Sequence, residues 1–210
     1  MKGGDGSIWL WRLAPFVSIG LLLVGWEWLA RSGVFTPFQL PAFSVVVQRI
    51  WLTLYRSLVG FLIAAVAGVI VGVGMWRNAG IRWFFDPLIS VGFPMPKIAF
   101  LPIVILWLGL YDVTKISMIV LDAIFPVITA TLIGVRNVDR ELIWSARNLG
   151  TREGALMRQI ILPAAMPMIF TGLQVALPIA MIVAVVCEML MGGYGIGGAM
   201  MTASRFANSA

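Results

Sequence analysis

The sequence predicts an all-α integral membrane protein, and three observations support this prediction. Only 11% of the 210 residues are charged and 60% are hydrophobic, whereas soluble domains carry about 25% charged residues. The mean hydropathy is +0.98. Long apolar runs recur along the chain with basic residues at their flanks, which is typical of loops between membrane spans. The net charge of +6 therefore reflects membrane topology, and we expect membrane lipid rather than nucleic acid as a partner.

The first span is predicted at about residues 13–30, because about 20 apolar residues are needed to cross a hydrocarbon core about 30 Å thick. A cleaved signal peptide is disfavoured, since Trp28 stands where cleavage requires a small residue. Residues 32–55 contain prolines, glutamines and Arg49, so VVVQRIWLTL is predicted as an interfacial or short buried helix that leads into the next span. Residues 1–50 thus form an N-terminal span and an interfacial segment.

The second span is predicted at residues 57–76, which carry no charge and lie between Arg56 and Arg77. Gly68 and Gly72 form a G-x-x-x-G pattern, which lets membrane helices approach each other closely. The plainer alternative for this pattern is ordinary packing within the chain.

The remaining predicted spans begin with a broken element, FPMPKIAFLP, whose prolines exclude a straight regular helix. The next two each contain an acidic residue, Asp122 and Glu188. Five spans are therefore predicted, and residues 51–210 are the transmembrane domain. The last three lie at about residues 93–110, 116–135 and 166–189.

Four polar residues within spans are possible pathway-lining residues, because ionisable and polar groups are costly in a membrane. Each has an alternative. Asp122 would pair with a Lys or Arg to hold the bundle together, Glu188 would reach water near the outer end of its span, and the other two would hydrogen-bond between helices. The four residues are Asp122, Thr171, Gln174 and Glu188.

The stretch from residue 136 to 167 orients the molecule. It holds five of the 15 Lys and Arg residues, and basic loops between spans stay in the cytoplasm. This places the N-terminus in the cytoplasm and Asp112 outside. Arg31 and Arg49 then lie on the outer side, against the rule.

The same stretch has a helix–Gly–helix pattern over residues 136–163. As a helix, residues 141–149 place three apolar side chains on one face. Gly150 suits a C-terminal cap, and the hydroxyl of Thr151 is predicted to cap a second helix, REGALMRQII, that ends before Pro163. The alternative is a surface hairpin held by lipid headgroups. The three apolar residues are Leu142, Ala146 and Leu149.

This segment resembles the cytoplasmic signature loop of ABC-importer permeases, whose pattern is Glu-Ala-Ala, three residues, Gly, nine residues, Ile, a spacer and Leu-Pro. Trp144 stands at the Glu position and Ser145 at the first Ala. RSLVGFLIAAVAGVIVGVGMW, FDPLISVGFPMPKIAFLPIVILWLGL and VDRELIWSARNLG are similar to the nitrate, sulfonate, taurine and bicarbonate branch, over about residues 40–198. The positions that match the loop pattern are Ala146, Gly150, Ile160, Leu162 and Pro163.

The resemblance implies an ABC importer type I permease fold in a bacterial inner membrane. It also implies a permease homodimer, an ATPase subunit in the cytoplasm and a substrate-binding protein outside. The family has a sixth span after the loop matching residues 192–198, so we expect a truncated product with five spans of six. By position, the residues implied to contact the ATPase are Glu141, Trp144, Ser145, Ala146, Leu149 and Gly150.

The implied function is a permease subunit that forms the path for a nitrate, sulfonate or taurine-type solute. We do not expect an enzyme, since Lys2, Lys97 and Lys115 do not follow glycines and the phosphate-binding G-x-x-x-x-G-K-[ST] loop is absent. ATP would bind to the partner, and we expect no cofactor or metal on this chain, which has no histidine and one cysteine. One alternative is an ion-coupled secondary carrier, which would explain Asp122 but predicts internal repeats. The other is a non-transporting scaffold or fragment.

Overall fold

The computed structural model describes the backbone of residues 5–36 and 39–207, and the side chains of residues 17–36 and 39–206. Helices and their connections account for this part of the chain, and no strand occurs in it. A 3-10 turn, Lys97–Phe100, precedes α4, and a π turn, Met157–Ile161, joins α7 to α8. The helices are α1 Asp5–Arg31, α2 Phe43–Arg77, α3 Ala79–Gly92, α4 Leu101–Leu108, α5 Asp112–Arg136, α6 Arg140–Asn148, α7 Glu153–Leu156, α8 Leu162–Met191 and α9 Ile196–Ala207.

The core is a bundle of α2, α5 and α8, each of which packs against the other two. Small residues on α2 allow α5 to come close. A Cβ added to Gly68 would lie 2.8 Å from the Cβ of Val127, and one added to Gly72 would lie 2.7 Å from the Cβ of Thr131. The G-x-x-x-G pattern therefore serves packing within the chain, as its plainer alternative predicted.

Within the described part of the chain, three helical stretches are long and apolar enough to cross a membrane. They are Phe43–Arg77, Asp112–Arg136 and Glu153–Met191. A fourth crossing is possible if Ala79–Gly92 and Lys97–Leu108, which meet at an angle of 98°, form one broken span. The early part of the predicted first span lies outside the described side chains, so the total of five spans stays a prediction.

The predicted interfacial segment is part of a longer helix. α2 begins at Phe43 and continues without a break through Arg49 and Arg56 to Arg77. No proline or glycine interrupts residues 43–59, and the charge of Arg56 is matched by acidic partners described below. The segment and the second span are therefore one 35-residue helix.

The span predicted at residues 93–110 has the broken start that its prolines predicted, but its bounds are wrong. Only residues 101–108 of it are α-helical, and eight residues rise about 12 Å, too little to cross a membrane. Pro94 and Pro96 lack N–H groups and break the chain into a turn, whereas Pro102 is tolerated in the first turn of α4. The apolar length comes instead from α3, which the side chain of Asn78 caps.

We predict that Gly72→Ala destabilises the bundle, because the new Cβ would meet Thr131 and the backbone of α5. Overpacking of this kind costs about 1–3 kcal/mol. Gly74→Ala is the matched control on the same helix, since its Cβ would lie 3.6 Å from Ile81, an ordinary contact. Thermal unfolding in detergent should show a lower Tm for Gly72→Ala alone, and equal Tm values for the two variants would contradict the packing.

Candidate functional site: the α6 segment and buried ion pairs

α6 packs against one end of the bundle through a narrow apolar face. Ala146 is buried and, with Ile143, joins a cluster that includes Leu156 and Ile161. The predicted face was wrong in part, because Leu142 is 49% exposed and Leu149 is 86% exposed. Ile143 and Ala146, three residues apart, share the inward face of a helix, and the two leucines flank it.

The outer surface of α6 carries most of the residues predicted to contact an ATPase. Trp144 is 59% exposed, and Glu141, Ser145 and Gly150 are also exposed. Ala146 is the exception, since it supports the helix from inside. We call Glu141, Trp144, Ser145 and Leu149 the α6 outer face.

Gly150 ends α6 as the sequence predicted. Its φ is +79°, a left-handed conformation that glycine adopts without a Cβ penalty. Its N–H donates to the carbonyl of Arg147 at 2.9 Å, and the N–H of Thr151 donates to that of Ala146 at 3.1 Å. This pair of bonds is a Schellman cap, and it fixes the direction in which the chain leaves α6.

Thr151 does not cap the next helix, contrary to prediction. The N-cap of α7 is Arg152, and no side chain caps it. The N–H of Thr151 already closes the Schellman cap on α6. Glu153 lies in the first turn of α7, and its carboxylate accepts from Arg147 at 2.9 and 3.3 Å. This pair ties α7 to the end of α6.

The predicted end of the second helix before Pro163 is also wrong. The chain is helical from Glu153 to Met191, through the π turn Met157–Ile161. The N–H of Leu162 donates to the carbonyl of Met157, five residues back. This wider turn immediately precedes Pro163, which has no N–H, and so the helix passes through the proline instead of ending there.

A second group of polar residues is buried at the opposite end of the bundle. Glu188 is 0% exposed, contrary to the alternative that it reaches water. Its carboxylate accepts from Arg56 at 2.6 Å, from Thr53 at 2.8 Å and from the N–H of Gly197 at 3.2 Å. Burial of a carboxylate is costly unless it is paired and hydrogen-bonded, and here it is both.

Arg56 links three parts of the chain. It pairs with Glu188 of α8, with Asp112 of α5 at 2.8 Å, and donates to the carbonyl of Tyr194 at 2.6 Å. Lys115 is also buried, with its ammonium 3.9 Å from Asp112. The Arg56 network therefore holds α2, α5, α8 and the linker that precedes α9 together.

Sequence reasoning missed Arg56 and Lys115. Arg56 was interpreted as the flank of a span, and a single sequence does not show which carboxylate a buried cation meets. One signal in the sequence was available. Asp112 and Glu188 are acidic residues near the ends of predicted spans, and a carboxylate there needs a basic partner such as Arg56.

Asp122 pairs with Lys97, the structural alternative predicted for it. The ammonium lies 2.9 Å from the carboxylate, donates to the carbonyl of Phe93 at 3.2 Å and lies 4.7 Å from the centre of the Phe125 ring. The side chain of Lys97 is 8% exposed and that of Asp122 is 27% exposed. The pair fastens the 3-10 turn before α4 to the middle of α5.

Thr171 and Gln174 lie on an exposed face of α8. The hydroxyl of Thr171 donates to the carbonyl of Pro167 at 3.1 Å. The structure therefore does not bring the four predicted pathway residues together, since Asp122 and Glu188 belong to two separate ion pairs and only Thr171 and Gln174 share a surface.

The structure combines apolar helices long enough to span a bilayer with charge pairs buried between them. These features define a multi-pass membrane protein. Residues 60–210 match the family model described as the binding-protein-dependent transport system inner membrane component. The chain belongs to this family, and it is an ABC-importer permease of the nitrate, sulfonate and taurine branch.

Three relatives illustrate the similarity. The putative aliphatic sulfonates transport permease protein of Bacillus subtilis (strain 168) is 34% identical, over 94% of this chain and 75% of the relative. The taurine transport system permease protein of Escherichia coli (strain K12) is 28% identical, over 94% and 80%. The nitrate import permease protein of Synechocystis sp. (strain ATCC 27184 / PCC 6803 / Kazusa) is 29% identical, over 88% and 74%. All three are named as transport or import permease proteins.

We predict that Glu188→Gln costs about 3 kcal/mol of unfolding free energy, because it leaves the buried Arg56 without its closest counter-charge. Asp112→Asn is the matched control. It removes a carboxylate from the same arginine, but the side chain of Asp112 is 50% exposed, so the loss should stay below about 1 kcal/mol. SDS titration of the purified protein measures both values, and similar losses would contradict the importance of burial.

Proposed function

We propose that this chain is the path-forming subunit of an importer driven by a separate ATPase that docks on the α6 outer face. The observation that carries the proposal is the exposure of two large apolar side chains, Trp144 and Leu149, on a helix anchored from within by Ala146. Exposed apolar groups on an amphipathic helix are typical of a surface that enters a groove of another protein.

The geometry suggests how a movement of α6 would reach the rest of the molecule. The Schellman cap at Gly150 and the Arg147–Glu153 pair attach α6 to α7. From Glu153 the chain is helical for 39 residues to Met191, which is about 58 Å at 1.5 Å per residue. A displacement at the docking end would therefore be carried along α8 to Glu188 and the Arg56 network, as in a rigid-body transition.

Trp144, at the position of the family's Glu, sets the chemistry of the contact. A glutamate there would offer a charge to the partner, whereas an exposed indole offers area and one N–H donor. We infer that the cognate ATPase presents an apolar or aromatic wall opposite Trp144, while Glu141 provides the nearest charge on the α6 outer face.

The proposed topology has the N-terminus and α6 in the cytoplasm, in agreement with the arginines around α6. The substrate-binding protein would dock at the opposite end, near the linker at residues 192–195. Thr171 and Gln174, polar groups on an exposed face of α8, would line the path where two copies of the permease face each other.

The other predicted pathway residues have conditional roles. Asp122 would reach the path by its exposed edge while it pairs with Lys97. Glu188 would reach it only in a conformation in which its pair with Arg56 opens.

The proposed solute is a small oxyanion, of the sulfonate, nitrate or taurine type. The three relatives described above are named for such solutes, and the buried cations Arg56 and Lys115 lie at the proposed outer end. The alternative of a secondary carrier does not explain the α6 outer face. A non-transporting scaffold would also present a docking surface, and ATP-dependent uptake distinguishes it from an importer.

We predict that Leu149→Ser and Gly150→Ala both weaken capture of the co-expressed ATPase subunit and lower ATP-dependent uptake. Leu149 is 86% exposed, so its loss should not lower the Tm. A Cβ at Gly150 strains the left-handed backbone at φ +79° by about 1 kcal/mol, which corresponds to about fivefold in affinity.

Gly154→Ala is the matched control, because Gly154, like Gly150, has no atom within 4 Å of its added Cβ but does not have a positive φ. It should capture the ATPase normally. Equal capture by all three variants, or uptake that follows a proton gradient without ATP, would overturn the proposed function.

A further inference from the structure

A cavity of about 710 Å³ lies between the end of α1, the turn before α2, the first turns of α2, and α9. Its walls are mainly apolar, with Leu40, Val45 and Met200 among them, and two arginines, Arg31 and Arg49, line it. It lies apart from the α6 outer face and does not include the Arg56 network. An apolar cavity lined by two guanidinium groups fits an amphiphilic anion.

The positive charge of Arg49 has no acidic partner among the described residues. Its Nε is buried and has no hydrogen-bond partner, and among the described residues no carboxylate lies within 4.0 Å of it. By contrast, the buried cations Arg56 and Lys97 each form an ion pair shorter than 3.0 Å. The other described cations without an ion pair are exposed. Arg49 is therefore the half-buried positive charge that this part of the chain leaves uncompensated.

Arg31 adds no further unmatched charge to the cavity, because its own charge is matched by a carboxylate. It pairs with Glu27 at 2.6 Å, and the same carboxylate accepts from the N–H and hydroxyl of Ser44 at the start of α2. The cavity thus contains one positive charge in excess. Arg31 and Arg49 are also the two exceptions to the distribution of positive charge in the proposed topology.

Arg49 lies on the headgroup side of the predicted span in α2. The uncharged run at residues 57–76 is about 30 Å long, the thickness of the hydrocarbon core. Arg49 lies eight residues, or about 12 Å, before this run along α2. Its long side chain is able to extend back toward the plane of the lipid phosphates.

We propose that this cavity binds an anionic phospholipid, with its phosphate on Arg49 and its acyl chains along the apolar walls. A guanidinium offers parallel N–H donors that match phosphate oxygens, and the mainly apolar walls of the cavity suit acyl chains. Arg31 lies at the same cavity and adds a second donor while it keeps its pair with Glu27. The bound lipid connects α1 and α9 to the start of α2.

The test compares phosphatidylglycerol with phosphatidylcholine of identical acyl chains, added to the full-length chain in detergent. At a hundredfold excess over its dissociation constant, phosphatidylglycerol should raise the Tm by about 5 °C or more, and phosphatidylcholine should not. Arg49→Gln should abolish this difference. Arg152→Gln is the matched control, since it removes an exposed arginine far from the cavity, and it should keep the difference.

Two further measurements identify the ligand and exclude loss of folding as the cause of the Arg49→Gln result. Inorganic phosphate alone should not raise the Tm, and an equal rise with phosphate would overturn the lipid assignment in favour of a free anion. Native mass spectrometry of the wild-type protein should retain phosphatidylglycerol in preference to phosphatidylcholine. No such preference, or a preference that persists in folded Arg49→Gln, would overturn the proposal.

Discussion

The positive charge of Arg56 inside α2 is the constraint on which the rest of the bundle depends. An unpaired guanidinium at this position would be several kcal/mol too costly to bury, so α5 and α8 must bring Asp112 and Glu188 to it. These contacts set the relative heights of the three helices at one end. They also draw the linker after α8 inward, since Arg56 and Glu188 hydrogen-bond the backbone at Tyr194 and Gly197.

The other end of the bundle is held by apolar contact instead of charge. The buried side chains of Ala146 and Leu156 pack α6 and α7 against the ends of the long helices. Gly150 turns the chain between α6 and α7. The two ends are joined by the continuous helix from Glu153 to Met191. The proposed function requires such an arrangement, in which a continuous helix connects the α6 outer face to the Arg56 network.

Much of this fold follows from local signals in the sequence. The uncharged run at residues 57–76 and the Gly150 cap were predicted from composition and backbone preference alone. The wrong predictions have a common cause. In each case the extent of the helix depends on contacts with other parts of the chain or with the membrane, which local sequence signals do not contain. α2 extends through Arg49 and Arg56 because other helices and the membrane interface accommodate those charges, and α8 passes through Pro163 because the preceding π turn removes the need for its N–H. The pairing of Arg56 with Glu188, 132 residues away, is a tertiary contact that one sequence does not contain.

The reactivity of Cys187 tests the connection between the two ends most directly. It is the single cysteine of the chain, it is 0% exposed, and it immediately precedes Glu188. In the importer assembled with its ATPase, the account predicts that ATP opens the Arg56 network and speeds maleimide modification of Cys187, measured by the mass of this chain. Leu149→Ser, which the proposed function expects to weaken the contact of α6 with the ATPase, should remove the acceleration. A modification rate that is the same with and without ATP would contradict the account.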